Sequence, residues 1–203
     1  HNLLASKDPL NRPFRTVGYD DDGRMTSVTD GAGNSTELDT NLGDRQQVIT
    51  SPDGRLNTVT SFDDRGNLTA VHEAFDSTSR STSYEYDAND NLVKTTNPDG
   101  ADTRSTFDAS GNETSRTSAC GHTATYEYDN AGDLVRESRP DGTFMTFERN
   151  ESGSPVRIDR GGGRVTDMTY NDDGQVTRMT GPLDQIVNYG YDSSGNLVSQ
   201  SDS

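Results

Sequence analysis

One motif, written repeatedly at a fixed spacing, limits what this chain can fold into. An aromatic residue, Asp, two variable residues, Gly, a polar residue and an aliphatic one recur as "FDDRGNL" at 62–68, "YDNAGDL" at 128–134 and "YDSSGNL" at 191–197. With the aromatic as anchor, copies fall at Tyr19, Phe62, Tyr86, Phe107, Tyr128, Tyr170 and Tyr191, and degenerate copies at Leu38 and Arg149. From 86 onward the step is 21 residues every time; upstream the steps are 19, 24 and 24. Nine anchors thus cover residues 19–203, and residues 1–18 read as a partial leading repeat. Such a period marks a repeat architecture, in which one supersecondary unit stacks on the next.

Two turn signals punctuate each unit. Asp follows the anchor at Asp20, Asp63, Asp87, Asp108, Asp129 and Asp192, and Gly comes four places after it at Gly23, Gly66, Gly111, Gly132, Gly153, Gly174 and Gly195. Asp90 holds the glycine place in one copy, and the Leu38 copy carries Gly43 one place late. The Asp side chain can bond the backbone two residues on, while Gly accepts the left-handed position of a bulged hairpin loop. The second signal comes 12 to 14 places after the anchor, as Pro98-Asp99-Gly100 and Pro140-Asp141-Gly142, with a further copy from Pro52 to Gly54. Weaker forms stand at 119–121, 161–163 and 182–184. Proline presets φ at the first central turn position and Gly reverses the chain.

Two turns per unit leave room for two strands of roughly 5–7 residues, the ordinary strand length. Between turns the residues alternate: Tyr84 and Tyr86, Tyr126 and Tyr128, Tyr189 and Tyr191 share a face, with Glu85, Glu127 and Gly190 on the other. Aliphatic pairs such as Leu92-Val93 and Leu134-Val135 supply the next strand. The fold class read from this is all-β: tandem hairpins, about 18 strands, in one long curved or spiralling antiparallel sheet. Composition agrees. Only 27% of residues are hydrophobic and there is no Trp, so either the chain is disordered or its stability comes from a backbone-bonded array with a thin apolar face, and the strict period favours the second.

The 34 acidic and 18 basic residues give a formal charge of −16, which repels phosphate backbones and argues against a nucleic-acid partner. No apolar run approaches the ~20 residues of a membrane span, so membrane insertion is not expected. The single cysteine, Cys120, allows no internal disulfide, and a chain beginning at His1 without Met reads as an internal piece of something longer.

The anchors, turns and period resemble the YD repeat of the RHS family over about residues 10 to 203. That resemblance implies a shell-like, spiralling β-sheet of the kind that encloses a polymorphic toxin domain in bacterial RHS toxins and insecticidal Tc complexes. Teneurins, animal cell-surface adhesion proteins, use a similar shell. It implies as partners the flanking repeats and an enclosed or C-terminal effector domain of the same protein, and a secreted or cell-surface location. Family shells hold more repeats than nine and end in a self-cleaving core segment; no residues here match that segment, so autoproteolysis is not carried over.

Catalytic and metal readings are weaker. Cys120 and His122 lie two apart in a turn, His72 falls in the connection "HEAFDSTSRS", and the acids recur as turn formers instead of as a unique pair. No enzyme is expected. "DANDN" at 87–91 starts like a calcium loop, but its sixth place is Leu92 and its twelfth Pro98. "GGGR" at 161–164 lacks the following helix of a phosphate loop. No cofactor or metal is expected. Two non-catalytic functions remain: a structural shell segment, and an adhesive surface whose rings and acid–amide turns grip glycans. Rings packed on aliphatics favour the first. Cut ends of such an array expose unpaired strand edges, so self-association through them is expected.

Overall fold

The structure, a computed structural model, describes residues 4–10 and 12–202. It divides into two compact units, His1–Thr103 and Arg104–Ser203. In the first, the strands are β1 (Ala5–Lys7), β2 (Pro13–Tyr19), β3 (Met25–Asp30), β4 (Ser35–Asn41), β5 (Gln46–Thr50), β6 (Leu56–Phe62), β7 (Leu68–Phe75), β8 (Thr78–Tyr86) and β9 (Leu92–Thr96). β10 (Asp102–Phe107) leads into β11 (Glu113–Thr117), β12 (Thr123–Tyr128), β13 (Leu134–Ser138), β14 (Phe144–Arg149), β15 (Pro155–Asp159), β16 (Val165–Tyr170), β17 (Val176–Thr180), β18 (Ile186–Tyr191) and β19 (Leu197–Asp202). Within each unit every strand pairs antiparallel with its sequence neighbour, the meander that the alternating pattern predicts. The only helical piece among the described residues is a single 3-10 turn at Pro182–Asp184, where Leu183 and Asp184 both take positive φ.

The apolar layer is thin, as 27% hydrophobic content requires. Among the described residues only Val17 and Met168 are buried hydrophobics, 8% and 9% exposed. Val17 sits across from Val28 and Met168 across from Met179. The aromatic anchors are half-buried and each faces the residue six places on: Tyr86 opposite Leu92, Tyr128 opposite Leu134, Tyr170 opposite Val176, Tyr191 opposite Leu197. Each such pair contributes about 0.2–1 kcal/mol, so cohesion comes from the row and not from any one member. The second ring of each pair does less: Tyr126 faces Glu137 and Tyr189 faces Gln200. On the opposite face, Glu85 pairs with Lys94 at 2.8 Å, and Glu127 with Arg136 and Glu148 with Arg157 at 3.8 Å.

Three features differ from the sequence reading. The Leu-Val pair opens the next strand, as read, but only its Leu joins the ladder. Tyr128 faces Leu134 but Glu127 faces Arg136, so Val135 is an extra residue in a β-bulge. The same skip occurs at Thr26, Thr69, Val93, Thr114, Val156, Thr177 and Val198, all β-branched. Leu38 lies in mid-strand opposite Ile49, and the chain reverses only at 42–45; Arg45 holds the left-handed position at φ 52, while Gly43 does not. His72 stands in β7 between Val59 and Ser81, because Asp76, at φ 50, lets the supposed long connection close as a two-residue turn.

Candidate functional site: the repeat turn and its anchor

The most repeated chemistry in the molecule is the turn after each anchor. At Asp87 the N–H bonds to Asn91 O at 3.0 Å, and the N–H of Asp90 closes onto Asp87 O at 3.3 Å. The Asp87 Oδ1 accepts the N–H groups of Asn89 and Asn91 at 2.8 and 3.0 Å, and Oδ2 accepts the Asn91 side-chain amide at 3.0 Å. The same set forms at Asp63 with Asn67, Asp108 with Asn112, and Asp192 with Asn196. Asp20 accepts the Arg24 N–H at 2.7 Å, and Asp129 accepts those of Ala131 and Asp133. These donors engage each carboxylate with its own turn.

The electrostatics follow. The Asn91 side-chain amide, then its backbone N–H, holds the Asp87 carboxyl below the usual 3.8; Asn112 does this for Asp108 and Asn196 for Asp192. At Asp20 the leading cause is the Arg24 N–H. At Asp63 burial pushes upward, and the Asn67 bonds outweigh it.

Glycine supplies the reversal at Gly23, Gly66, Gly111, Gly132, Gly153, Gly174 and Gly195, all at positive φ. Asp90 takes the same conformation at φ 66. Its carboxylate accepts the Asn67 amide at 2.7 Å and meets Arg65 at 2.8 Å, so a side chain that strains the turn also ties it to the preceding one. The proline turns close alike: Gly100 N–H bonds to Asn97 O and Gly142 N–H to Arg139 O, with Pro98 and Pro140 at the first central position, and Gly54 N–H bonds to Ser51 O after Pro52.

The anchor carries a role that reading ring positions alone missed. The Tyr128 hydroxyl donates to Glu113 O at 2.9 Å, Tyr170 to Pro155 O at 2.6 Å and Tyr191 to Val176 O at 2.9 Å. Each reaches back fifteen residues, to the carbonyl of the strand-opening residue of the previous unit. Arg149, where the ring is missing, donates from Nη2 to Leu134 O at 3.2 Å across the same interval. Its Nε is buried without a hydrogen-bond partner, 3.8 Å from Asp133. The 21-residue step keeps the offset constant but does not reveal it, and the acceptor, a main-chain carbonyl, has no signature of its own.

Other candidate groups are not assembled. Among the described residues no cluster of three or more His, Cys, Asp or Glu is placed to hold a metal. Cys120 is an exposed free thiol, and His122 closes the 118–122 turn with its N–H on Ser118 Oγ at 3.2 Å. No helix among the described residues is long and apolar enough to cross a membrane.

Among solved structures the fold is similar to part of TcdB2-TccC3-TEV, at 18% identity and TM-score 0.52, over 94% of this chain and 12% of that one. It is similar to part of TcdB2-TccC3-Cdc42 at 14% identity and TM-score 0.59, over 92% and 13%. A Photorhabdus luminescens Tc holotoxin pore carrying a TccC3 mutation matches at 17% identity and TM-score 0.51, over 94% and 12%. The likeness at these identities is one of fold, and the chain spans a small part of each. No curated protein sequence matched. The RHS repeat family model matches residues 62–102, 107–143 and 170–203, together more than half of the chain. By that match, and by the turn chemistry that accounts for its motif, the chain belongs to the RHS repeat family.

Proposed function

We propose that this chain is a non-catalytic wall segment of an RHS-type shell, which encloses or displays an effector domain of the same protein outside the producing cell. The observation that carries the reading is the structural engagement of the repeated polar groups. The turn aspartates accept from their own loops and the anchor hydroxyls bond main-chain carbonyls, which leaves the repeated residues as architecture. The fold likeness to parts of TcdB2-TccC3 supports it at the level of the array. In this reading Tyr19, Phe62, Tyr86, Phe107, Tyr128, Tyr170 and Tyr191 are architectural anchors, and the prolines and glycines of the turns are hairpin formers.

The test is limited proteolysis of the longest natural polypeptide that contains these repeats. A downstream domain protected from protease until the repeats are unfolded supports the wall. Equal digestion of that domain with intact and unfolded repeats overturns it. Glycan binding abolished by Tyr126→Ala or Tyr189→Ala without loss of fold would favour an adhesive surface instead.

A further inference from the structure

The 24-residue step between Phe62 and Tyr86 has a structural outcome that the regular units lack. β7 and β8 have eight and nine residues where β9 and β10 have five and six. β8 therefore begins well before its partner: β9 ends at Thr96, which faces Ser83. Among the described residues, Thr78 to Thr82 pair with β7 on one side and with no strand on the other, and Thr78, Ser79, Arg80 and Ser81 are exposed.

The register says which groups are free. Phe75 and Thr78 flank a two-residue turn and form its closing pair, so alternate residues Thr78, Arg80 and Thr82 direct their main-chain groups to β7. Ser79 and Ser81 direct theirs outward, which leaves two N–H and two C=O groups on an open edge. Beside this edge, Leu56, Phe75 and Thr78 form one row across three strands, and Glu73 and Arg80 share the next. Leu56 and Phe75 are 37% and 47% exposed, and with Thr78, Ser79, Glu73 and Arg80 they line a cleft of about 430 Å³. Arg55 lies over the Phe75 ring, its Cζ 5.0 Å from the ring centroid, and is paired with Asp76. Arg80 bonds Glu73 through Nε at 2.8 Å and is 68% exposed, which leaves its terminal nitrogens for another carboxylate.

We propose that the Thr78–Thr82 edge is a docking site for an extended segment of a partner protein, added as a further antiparallel strand. Main-chain bonds to Ser79 and Ser81 hold such a segment, and side chains on the cleft face select it. An acidic residue falls opposite Arg80, and two places later an apolar residue falls opposite Thr78, extending the Leu56–Phe75 row. The segment reads acidic, any residue, apolar from N to C. Charge disfavours the simplest alternative, a second copy in the centred register. "TSRST" is palindromic, so self-pairing centred on this edge sets Arg80 against Arg80, and like charges directly opposite are destabilising.

The probe is a blocked peptide, Thr-Glu-Thr-Val-Thr, which ends short of Ser83 and its partner Thr96, titrated into the intact 203-residue chain and followed by amide NMR shifts. Binding should perturb Phe75 and Ser79 to Thr82. Arg80→Glu should weaken it about tenfold, and replacing the peptide's Glu with Lys should restore affinity for that variant. Ser81→Pro removes an outward N–H and should abolish binding. If that variant unfolds, a peptide N-methylated at its bonding positions makes the same test on unaltered protein and should not bind. Equal affinity for the Glu and Lys peptides, tolerance of N-methylation, shifts elsewhere, or a dimer through this edge that Arg80→Glu leaves unchanged would each overturn the proposal.

Discussion

The two units are built from one motif and treat it differently. In the second, every step is 21 residues, every anchor hairpin has its bulge, and every anchor except Phe107, which has no hydroxyl, donates to a carbonyl fifteen residues back: Tyr128, Arg149, Tyr170 and Tyr191. In the first, the hairpin of β4 and β5 has no bulge, that of β7 and β8 is lengthened, and Phe62 has no hydroxyl to donate. The carbonyl fifteen residues before Phe62, that of Gln47, accepts instead from the Thr60 hydroxyl at 3.3 Å. The back-bond depends on a constant hairpin length. Where length is constant the chain is tied unit to unit, and where it varies the chain is free to project an edge such as Thr78–Thr82.

The largest expected separation of the units is under acid. In the first, Asp8, Asp20, Asp30, Asp63 and Asp87 hold turns with carboxyls lowered by the bonds they accept. In the second, Asp108, Asp141 and Asp192 are lowered likewise, but two turns use Asn150 and Asn171, which do not titrate. A carboxyl whose folded value lies below its unfolded value stabilises the fold above the unfolded value and ceases to do so as pH falls through the folded one. Below the ordinary 3.8, amides of the first unit should therefore lose hydrogen-exchange protection before those of the second. Simultaneous loss would erase this distinction between the units.

Smaller effects sharpen the comparison. Gly132→Ala, at φ 86, should cost about 1–2 kcal/mol in denaturant unfolding, while Gly43→Ala should lie within about 0.5 kcal/mol of zero because Gly43 has no left-handed φ. Tyr170→Phe should cost about 1 kcal/mol by the same measurement, since the Pro155 carbonyl loses its donor. Phe62→Tyr should gain nothing, because the Gln47 carbonyl is already served by Thr60. Least of all, Arg149→Tyr should raise stability by about 0.5 kcal/mol, replacing a guanidinium whose Nε is buried unpaired.

Hairpin period, strand direction and turn places were legible because each rests on a residue with a local conformational preference: Gly132 for positive φ, Pro98 for a fixed φ, Asp87 for a bond to its own turn. The Asn at the turn's end was less legible, since Asn91 reports its contact with Asp87 only once the turn is closed. The back-bond from Tyr128 and the bulge at Val135 join side chain or strand to a main-chain partner in another segment, and no residue type encodes such a partner. Leu38 misled for the complementary reason. An aliphatic ahead of a polar stretch looks like a worn anchor, yet its strand gained three residues and the reversal moved to Arg45. His72 misled because Asp76 makes a tight turn without glycine.

The fifteen-residue reach of the anchor has a kinetic consequence. Each bond closes a short loop between neighbouring hairpins, so its entropic cost does not grow with the number of repeats. A hairpin emerging from the ribosome meets its acceptor carbonyl in the hairpin made just before it. Synthesis and locking then advance together from the N-terminus, and an added 21-residue block lengthens the array without slowing the folding of what precedes it.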